Sequence, residues 1–191
     1  ANLMKAAAHK ASRLPRAELP FPGRGTDLMR MAMVVPRYTA EEVRQFPDDG
    51  LRYEVIRGEL FVSPAPGTPH QRAVGELYVL LRAYVETHQL GEVILSPFEV
   101  EFAEDTAVQP DLLFLPRERA RRLTVARLLG APSLAIEIVS YSSKRTDRLQ
   151  KRSLYQEERV DEYWIFDPGL RRVERWRPGA AQPEVVTDQL I

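Results

Sequence analysis

The sequence predicts an α/β fold in which helices flank a central mixed β-sheet. Segments with helical spacing of apolar residues alternate along the chain with short runs rich in β-branched and aromatic residues. Their order is a hairpin, a helix, three strands, a second helix and two strands, which is typical of layered helices and sheet. The length of 191 residues suits one domain of ordinary size.

Composition limits the class of protein. The chain is 44% hydrophobic and 28% charged, as soluble globular proteins are. Its formal net charge is zero, so affinity for nucleic acid or membrane would have to come from a local patch. The absence of cysteine excludes disulfides and thiolate metal sites and predicts a cytoplasmic protein. No run approaches the roughly 20 apolar residues of a transmembrane helix, so we expect no membrane partner.

The chain is predicted to have two parts. Residues 1–36 contain scattered Arg, Pro and Gly without regular spacing, and we expect a loosely ordered leader there. Residues 37–191 are predicted to form one domain. That domain starts with a short helix and an extra N-terminal hairpin, with Arg57 and Gly58 at the turn.

Two longer helices follow from the spacing. The first is predicted from Thr68 to about His88, with Thr68 as the cap, Gln71 at the capping-box position and Pro69 in the first turn. The second is a basic helix over residues 144–157.

Two of the predicted strands carry an acidic residue at a position where an apolar one would pack better. Strands are predicted at 91–102, 108–115, 134–140, 161–166 and 172–176. Under strict alternation Gln109, Asp111 and Leu113 share one face of the second, while Glu137 lies among apolar residues in the third. If these strands are neighbours, the two carboxylates need a counter-charge. An arginine, a shared proton or a divalent cation would serve.

A divalent cation has specific support. Glu54 in the hairpin is a candidate third carboxylate, because it also lies among apolar neighbours. Oxygen ligands without His or Cys favour Mg²⁺ or Mn²⁺ over zinc. Such an ion suits phosphoryl chemistry, because it polarises the phosphate and lowers the pKa of a bound water.

Five segments together resemble a known family. They are RYEVIRGELFVSPAPGTPHQ, VQPDLLFLP, LAIEIVS, the run with Asp147, Lys151 and Tyr155 at four-residue spacing, and DEYWIFDP. In order and spacing this set, over about residues 38–177, resembles the Uma-type family of bacterial restriction endonucleases, within the PD-(D/E)xK nuclease superfamily. The resemblance implies a restriction-endonuclease-like core and a metal-dependent nuclease. It also implies that Asp111 and Glu137 bind the metal, joined by the backbone carbonyl of Ile138.

The sequence departs from the superfamily pattern at one position. The pattern places lysine two residues after the strand acid, where this chain has Val139. We expect Lys151 to substitute, since it shares a helix face with Asp147 and Tyr155. The chain has four lysines among its 27 basic residues, and lysine, unlike arginine, can release a proton near a metal. Lys144 is the alternative.

The basic helix and several neighbours of the acids are further candidates. Cations of this helix can contact a nucleic-acid backbone. Gln109 can orient water or a base, and His70 and Tyr155 are weaker site candidates. The tryptophans Trp164 and Trp176 are expected in the core or at an interface. The basic candidates for DNA contacts are Lys144, Arg145, Arg148 and Arg152.

The function predicted from the sequence is therefore an Mg²⁺-dependent endonuclease acting on DNA. Asp111, Glu137, Lys151 and Glu54 are its candidate catalytic residues, and a homodimer is expected because cutting both strands needs two sites. One alternative is a non-catalytic module that kept the nuclease fold and binds nucleic acid or protein, which Val139 favours. Another is acid–base hydrolysis by the same carboxylates without metal, as in glycosidases.

Overall fold

A computed structural model of the chain describes residues 37–139 and 147–187. These residues all lie in one compact unit, Val35–Ile191. The predicted leader, 1–36, lies outside the described residues, and its boundary stays a prediction. The helices are α1 (Ala40–Arg44), α2 (Thr68–Thr87) and α3 (Arg152–Glu157), with a 3₁₀ turn at Arg117–Arg122 and a π-helical turn at Asp147–Lys151.

Eleven strands in the described part form two sheets. The strands are β1 (Leu51–Ile56), β2 (Glu59–Pro64), β3 (Gly91–Leu95), β4 (Glu99–Ala103), β5 (Thr106–Val108), β6 (Leu112–Pro116), β7 (Arg127–Leu129), β8 (Leu134–Ile138), β9 (Glu162–Asp167), β10 (Arg172–Trp176) and β11 (Glu184–Thr187). One sheet has the order β2-β1-β5-β4-β7, and the other has the order β11-β10-β9-β8-β6-β3. Each contains one parallel pair, β4 with β7 and β8 with β9, so both sheets are mixed and the predicted fold class is confirmed.

The N-terminal hairpin forms where the sequence predicts it. Strands β1 and β2 pair from Leu51 opposite Pro64 to Ile56 opposite Glu59. The two turn residues, Arg57 and Gly58, both have positive φ, 53° and 79°. Two such residues make the tight turn whose twist matches that of the strands, which confirms the predicted turn.

Two of the predicted strands are wrong in their length, for the same reason. The segment 91–102 is divided between β3 in one sheet and β4 in the other, and the segment 108–115 is divided between the last residue of β5 and β6 in the same way. Both crossings contain a proline, Pro97 in one and Pro110 in the other. A proline has no N–H to donate to a ladder, so the strand ends there and the chain leaves the sheet. Asp111 therefore lies at the crossing, one residue before β6, and not within a strand.

The predicted cap of the long helix is also wrong. Helix α2 begins at Thr68, so Gly67 is the N-cap and Thr68 is already helical. Gly67 has extended dihedral angles, and no side-chain capping bond forms at this end of the described helix. The Gln71 N–H donates instead to the Gly67 carbonyl, at 3.1 Å. Pro69 does lie in the first turn, as predicted.

The alternation of side chains in β6 and β8 divides the core into two layers. Leu113 and Ala135 pack with residues of the five-stranded sheet and of α3. Leu112 and Ile136 pack with Val74 of α2 on the opposite face. Glu137 therefore points to the same side as Ala135, between the two sheets.

The two tryptophans belong to the core, as expected. Trp176 is buried between the sheets, and Trp164 packs against the layer under α2. Strands β7 and β11 were not predicted, since each is short and has weak alternation. None of the helices in the described part is long and apolar enough to cross a membrane.

Candidate active site between the two sheets

Glu137 is buried and is paired with a lysine and a tyrosine. The Lys151 Nζ lies 2.8 Å from the Glu137 Oε1, and the Tyr155 hydroxyl donates to the same oxygen at 3.3 Å. Lys151 is the last residue of the π-helical turn, and Tyr155 lies one turn further on, in α3. The side chains of Glu137 and Lys151 are each 2% exposed, so the contact is shielded from water.

Glu54 is joined to the same lysine from the other sheet. Its Oε1 lies 2.9 Å from the Lys151 Nζ and accepts a hydrogen bond from the Gln109 backbone N–H at 2.6 Å. Glu54 belongs to β1, and its side chain is 5% exposed. A single ammonium group thus lies between two buried carboxylates, one from each sheet.

Asp111 lies opposite Glu137 across the β6–β8 ladder. Leu112 pairs with Ile136 in that ladder, and continuing the antiparallel register by one residue places Asp111 opposite Glu137. The Ile138 N–H also donates to the Asp111 Oδ2, at 2.9 Å. The two acids that the sequence singled out therefore come from neighbouring strand ends.

Two basic side chains hold Asp111 in its ionised form. The Arg52 Nη1 donates to Oδ1 at 3.1 Å, and the His70 Nε2 lies 2.9 Å from Oδ2. Burial would raise the pKa of Asp111, but the His70 hydrogen bond and the charge of Arg52 outweigh it, so the pKa lies below its ordinary value. Asp111 is therefore a carboxylate at neutral pH.

Arg52 is the main site residue that the sequence analysis missed. It also donates to the Gln109 carbonyl at 3.3 Å and to the Ser96 Oγ at 3.0 Å. Although burial lowers its pKa, the charges of Asp111, Glu137 and Glu54 raise it above the ordinary arginine value. One signal could have identified Arg52: it precedes Glu54 by two residues in β1, so the two share a face of that strand.

A cleft of about 450 Å³ opens beside Asp111. Arg52, His70 and Gln109 line it together with Asp111, whereas Glu54, Glu137 and Lys151 are not among its lining residues. Of the three buried acids Asp111, Glu137 and Glu54, Asp111 is therefore the one that borders the cleft. Its other lining residues come from α1, the hairpin, the start of α2 and the β3–β4 crossing: Val43, Arg44, Gly50, Leu51, Tyr53, Ala65, Pro66, Gln71, Val74, Ser96, Pro97 and Glu99.

Of the four basic residues predicted to contact DNA, the structure describes the side chain of Arg152 alone. Lys144 and Arg145 lie outside the described residues. Arg148 falls in the π-helical turn, and its side chain is also outside them. The Arg152 guanidinium lies over the Trp176 ring, 4.7 Å from its centroid, which is a cation–π contact.

Asp111 and Glu137 could bind Mg²⁺ or Mn²⁺ if water and substrate supply further ligands. The described side chains do not form a complete metal site by themselves. Among residues 37–139 and 147–187, no group of three or more His, Cys, Asp or Glu side chains is arranged to hold a metal. Magnesium usually takes one or two protein carboxylates and completes its shell with water and phosphate oxygens. The facing carboxylates Asp111 and Glu137 fit that requirement.

Comparison with protein families identifies the chain. The model of the Uma2 family, described as "Putative restriction endonuclease", matches residues 40–190. The chain belongs to the Uma2 family. This confirms the membership that the five sequence segments predicted.

A solved structure supports the fold of this Uma2 protein. The chain is similar to a crystal structure described as a "putative nuclease belonging to DUF820" from Anabaena variabilis, with a TM-score of 0.69 and 22% sequence identity. The match covers 79% of this chain and 85% of the other. It confirms the predicted restriction-endonuclease-like core. A comparison with curated proteins found no match.

At the position where the nuclease pattern places a lysine, this Uma2 chain has Val139, which packs against the core. Val139 packs at the edge of the layer between the sheets, and its N–H donates to the Phe166 carbonyl at 2.9 Å. Lys151 brings an amine to the strand acid from a separate segment. The helical spacing that pointed to Lys151 and Tyr155 is matched by contacts from both to one oxygen of Glu137.

Proposed function

We propose that this Uma2 protein is an Mg²⁺- or Mn²⁺-dependent endonuclease that hydrolyses phosphodiester bonds in DNA. The observation that carries the proposal is the meeting of Asp111, Glu137 and Lys151, which come from three separate segments. Family membership supports the reaction class, since the family model carries the description "Putative restriction endonuclease".

Charge supports a cation at this centre. Asp111, Glu137 and Glu54 bring three buried carboxylates together, with Arg52 and His70 against Asp111 and Lys151 against the other two. Neighbouring buried carboxylates are stabilised in their ionised form by nearby positive charge, and a divalent ion would supply two such charges at once. Asp111 and Glu137 would hold the ion, with the backbone carbonyl of Ile138 as a third ligand. When bound, it would polarise a phosphate oxygen and make water more acidic.

Lys151 is proposed to position the attacking water. Its ammonium group lies beside Glu137 and Glu54. A water or phosphate oxygen brought next to Glu137 by the metal would lie beside this ammonium group, which donates hydrogen bonds. Attack of that water forms a new P–O bond, the bond to the leaving oxygen breaks, and the leaving oxygen takes up a proton.

DNA is proposed as the substrate, and a homodimer as the working assembly. Overall charge gives no attraction to DNA, because the net charge is zero. Contacts are expected instead from the basic segment that holds Lys144, Arg145, Arg148 and Arg152. Two copies would place one catalytic centre on each strand of a duplex.

Nicking of supercoiled plasmid tests the proposal. Wild-type protein is expected to nick with Mg²⁺ or Mn²⁺ and to stop when EDTA is added. Glu137→Gln keeps the shape of the side chain but removes a charged ligand, so nicking should fall at least about 100-fold. Glu174→Gln is the matched control, since Glu174 is a buried strand glutamate paired with Arg172 at 2.5 Å. It should nick as the wild type does.

One observation favours a second candidate, a binding module without catalysis. Val139 replaces the usual lysine, and both Asp111 and Glu137 already contact basic side chains. Folded wild-type protein that binds DNA but gives no metal-dependent nicking above the Glu137→Gln background would support this candidate and contradict the nuclease.

A further inference from the structure

The cleft beside Asp111 is lined by several groups to which the catalytic proposal gives no role. Its volume of about 450 Å³ lies within the roughly 300–1,000 Å³ of small-molecule sites. Asp111 and His70 form part of its wall, so a group bound there would be a direct neighbour of a phosphate held at the acidic centre.

One part of the cleft is apolar and includes an aromatic ring. Tyr53, Pro66, Pro97 and Val74 line it. The Tyr53 hydroxyl donates to Asp49 at 2.8 Å and its ring meets the Phe46 ring edge to face, with centroids 5.1 Å apart. These contacts fix the orientation of the Tyr53 ring, and a fixed aromatic ring is a suitable partner for a flat heterocycle.

Two side-chain amides in the cleft have unused hydrogen-bonding capacity. In the described part of the chain, the side-chain amides of Gln71 and Gln109 make no hydrogen bond, although both residues line the cleft. An amide offers a donor pair and an acceptor side by side, which is the pattern that reads the edge of a nucleobase. The Ser96 hydroxyl accepts from Arg52 and can still donate.

The cations of the cleft are already neutralised. Arg44 forms ion pairs with Glu41, Glu99 and Glu101. Arg52 is bound to Asp111. The groups left for a ligand are therefore neutral hydrogen-bonding groups and apolar surface. This combination favours an uncharged ring over a second phosphate.

We propose that the cleft binds the nucleobase adjacent to the phosphate that is cut. The inference rests on the proposed nuclease function and specifies its substrate. Within a duplex a base is stacked and cannot enter such a cleft, so the preferred substrate is a single-stranded segment or a nucleotide turned out of the helix.

Calorimetric titration with deoxynucleoside 5′-monophosphates tests the inference, with deoxyribose 5-phosphate as the ligand without a base. Both titrations are done with Mg²⁺ present. Wild-type protein should bind at least one of the four nucleotides about tenfold or more tightly than the sugar phosphate, since stacking and base hydrogen bonds add affinity. Equal affinity, or no binding of either ligand, would overturn the inference.

A cleft-filling variant gives the second measurement. Gln71 is exposed in the first turn of α2, so Gln71→Trp can fill the cleft without disturbing the core. It should remove the preference for the nucleotide. Thr87→Trp at the other end of the same helix is exposed and outside the cleft, and it should keep that preference.

Plasmid nicking with the same variants separates this inference from the proposed function. Wild-type nicking together with full nicking by Gln71→Trp would overturn the base-binding cleft and leave the nuclease standing. Nucleotide preference in the wild type without cleavage of either plasmid or single-stranded DNA would overturn the nuclease, and the cleft would remain as a base-binding site.

Discussion

Lys151 lies between two buried carboxylates that would otherwise repel each other. Its Nζ is within 2.9 Å of one oxygen of Glu54 and one of Glu137. Both acids are nearly inaccessible to water, so solvent does little to screen them. The lysine therefore has a structural role in addition to the catalytic one proposed for it.

Removal of this amine should destabilise the protein strongly. We expect Lys151→Met to lower the free energy of unfolding by about 3–5 kcal/mol, because both acids lose the ammonium group that lies between them. Chemical denaturation followed by circular dichroism measures the loss. Adding Glu137→Gln to Lys151→Met should recover part of it, since one of the two repelling charges is removed.

A comparison pair tests whether burial is the cause. Arg172 and Glu174 form an ion pair in β10 with the arginine 32% exposed. Arg172→Met should cost less than Lys151→Met, because the partly exposed arginine is already screened by water and its removal leaves one buried carboxylate instead of two. Equal losses in the two variants would contradict the role given to Lys151.

Contacts between site residues could be predicted from the sequence only where the two residues are close together along the chain. Lys151 and Tyr155 are four residues apart, and helical periodicity relates them to each other before any fold is known. The contact of Arg52 with Asp111 joins residues 59 positions apart. It depends on how the hairpin packs on the second sheet, and no local pattern encodes that packing.

Two glycines in neighbouring elements, Gly75 in α2 and Gly91 in β3, differ in whether the structure has room for a side chain there. Gly91 begins β3 with φ of +155°, and a Cβ there would collide with the Leu115 carbonyl oxygen and lie 2.8 Å from the Pro116 Cα. Gly75 lies on the exposed side of α2, and a Cβ there would meet nothing within 4 Å. The first glycine is needed for close approach of β3 to β6, and the second is not.

Alanine at these two positions should change stability in opposite directions. Gly91→Ala should lower the free energy of unfolding by more than about 2 kcal/mol, since backbone atoms of β6 would have to move. Gly75→Ala should raise it by about 0.5–1 kcal/mol, through the lower entropy of the unfolded chain and the better helix propensity. Thermal denaturation of both variants measures this, and a destabilised Gly75→Ala would contradict the described helix.

The elements that the sequence predicted well are those with a strong periodic pattern. Helix α2, strand β8 and the hairpin fall close to their predicted positions. The exchange of strands between sheets at Pro97 and Pro110 was not predicted. Alternation continues across both prolines in the sequence, so the pattern alone cannot reveal that the strand partners change.

In the molecule as a whole, those two crossings create the site. The Gln109–Asp111 crossing carries Asp111 out of the sheet that contains β1 and into the sheet that contains β8. Glu54 and Arg52 face it from the first sheet, and Glu137 faces it from the second. A single continuous sheet, as predicted, would have placed Asp111 within a strand, away from the cleft.

The proposed homodimer is tested by the mass in solution. Sedimentation equilibrium of the protein alone at micromolar concentration should give about twice the chain mass of 21.8 kDa. A monomer at every concentration and in the presence of duplex DNA would contradict the dimer. Cleavage would then proceed as separate nicks in the two strands.

The most direct test of the central claim is a calorimetric titration with Mn²⁺ and Mg²⁺. We predict saturable binding to the wild type, which is lost in Glu137→Ala and in Asp111→Asn and is kept in Glu174→Gln. That result would establish that Asp111 and Glu137 hold a metal ion together. Equally weak binding by the wild type and Glu137→Ala would contradict the account. The contact between Lys151 and Glu137 would then be structural, in a protein that binds without cleaving.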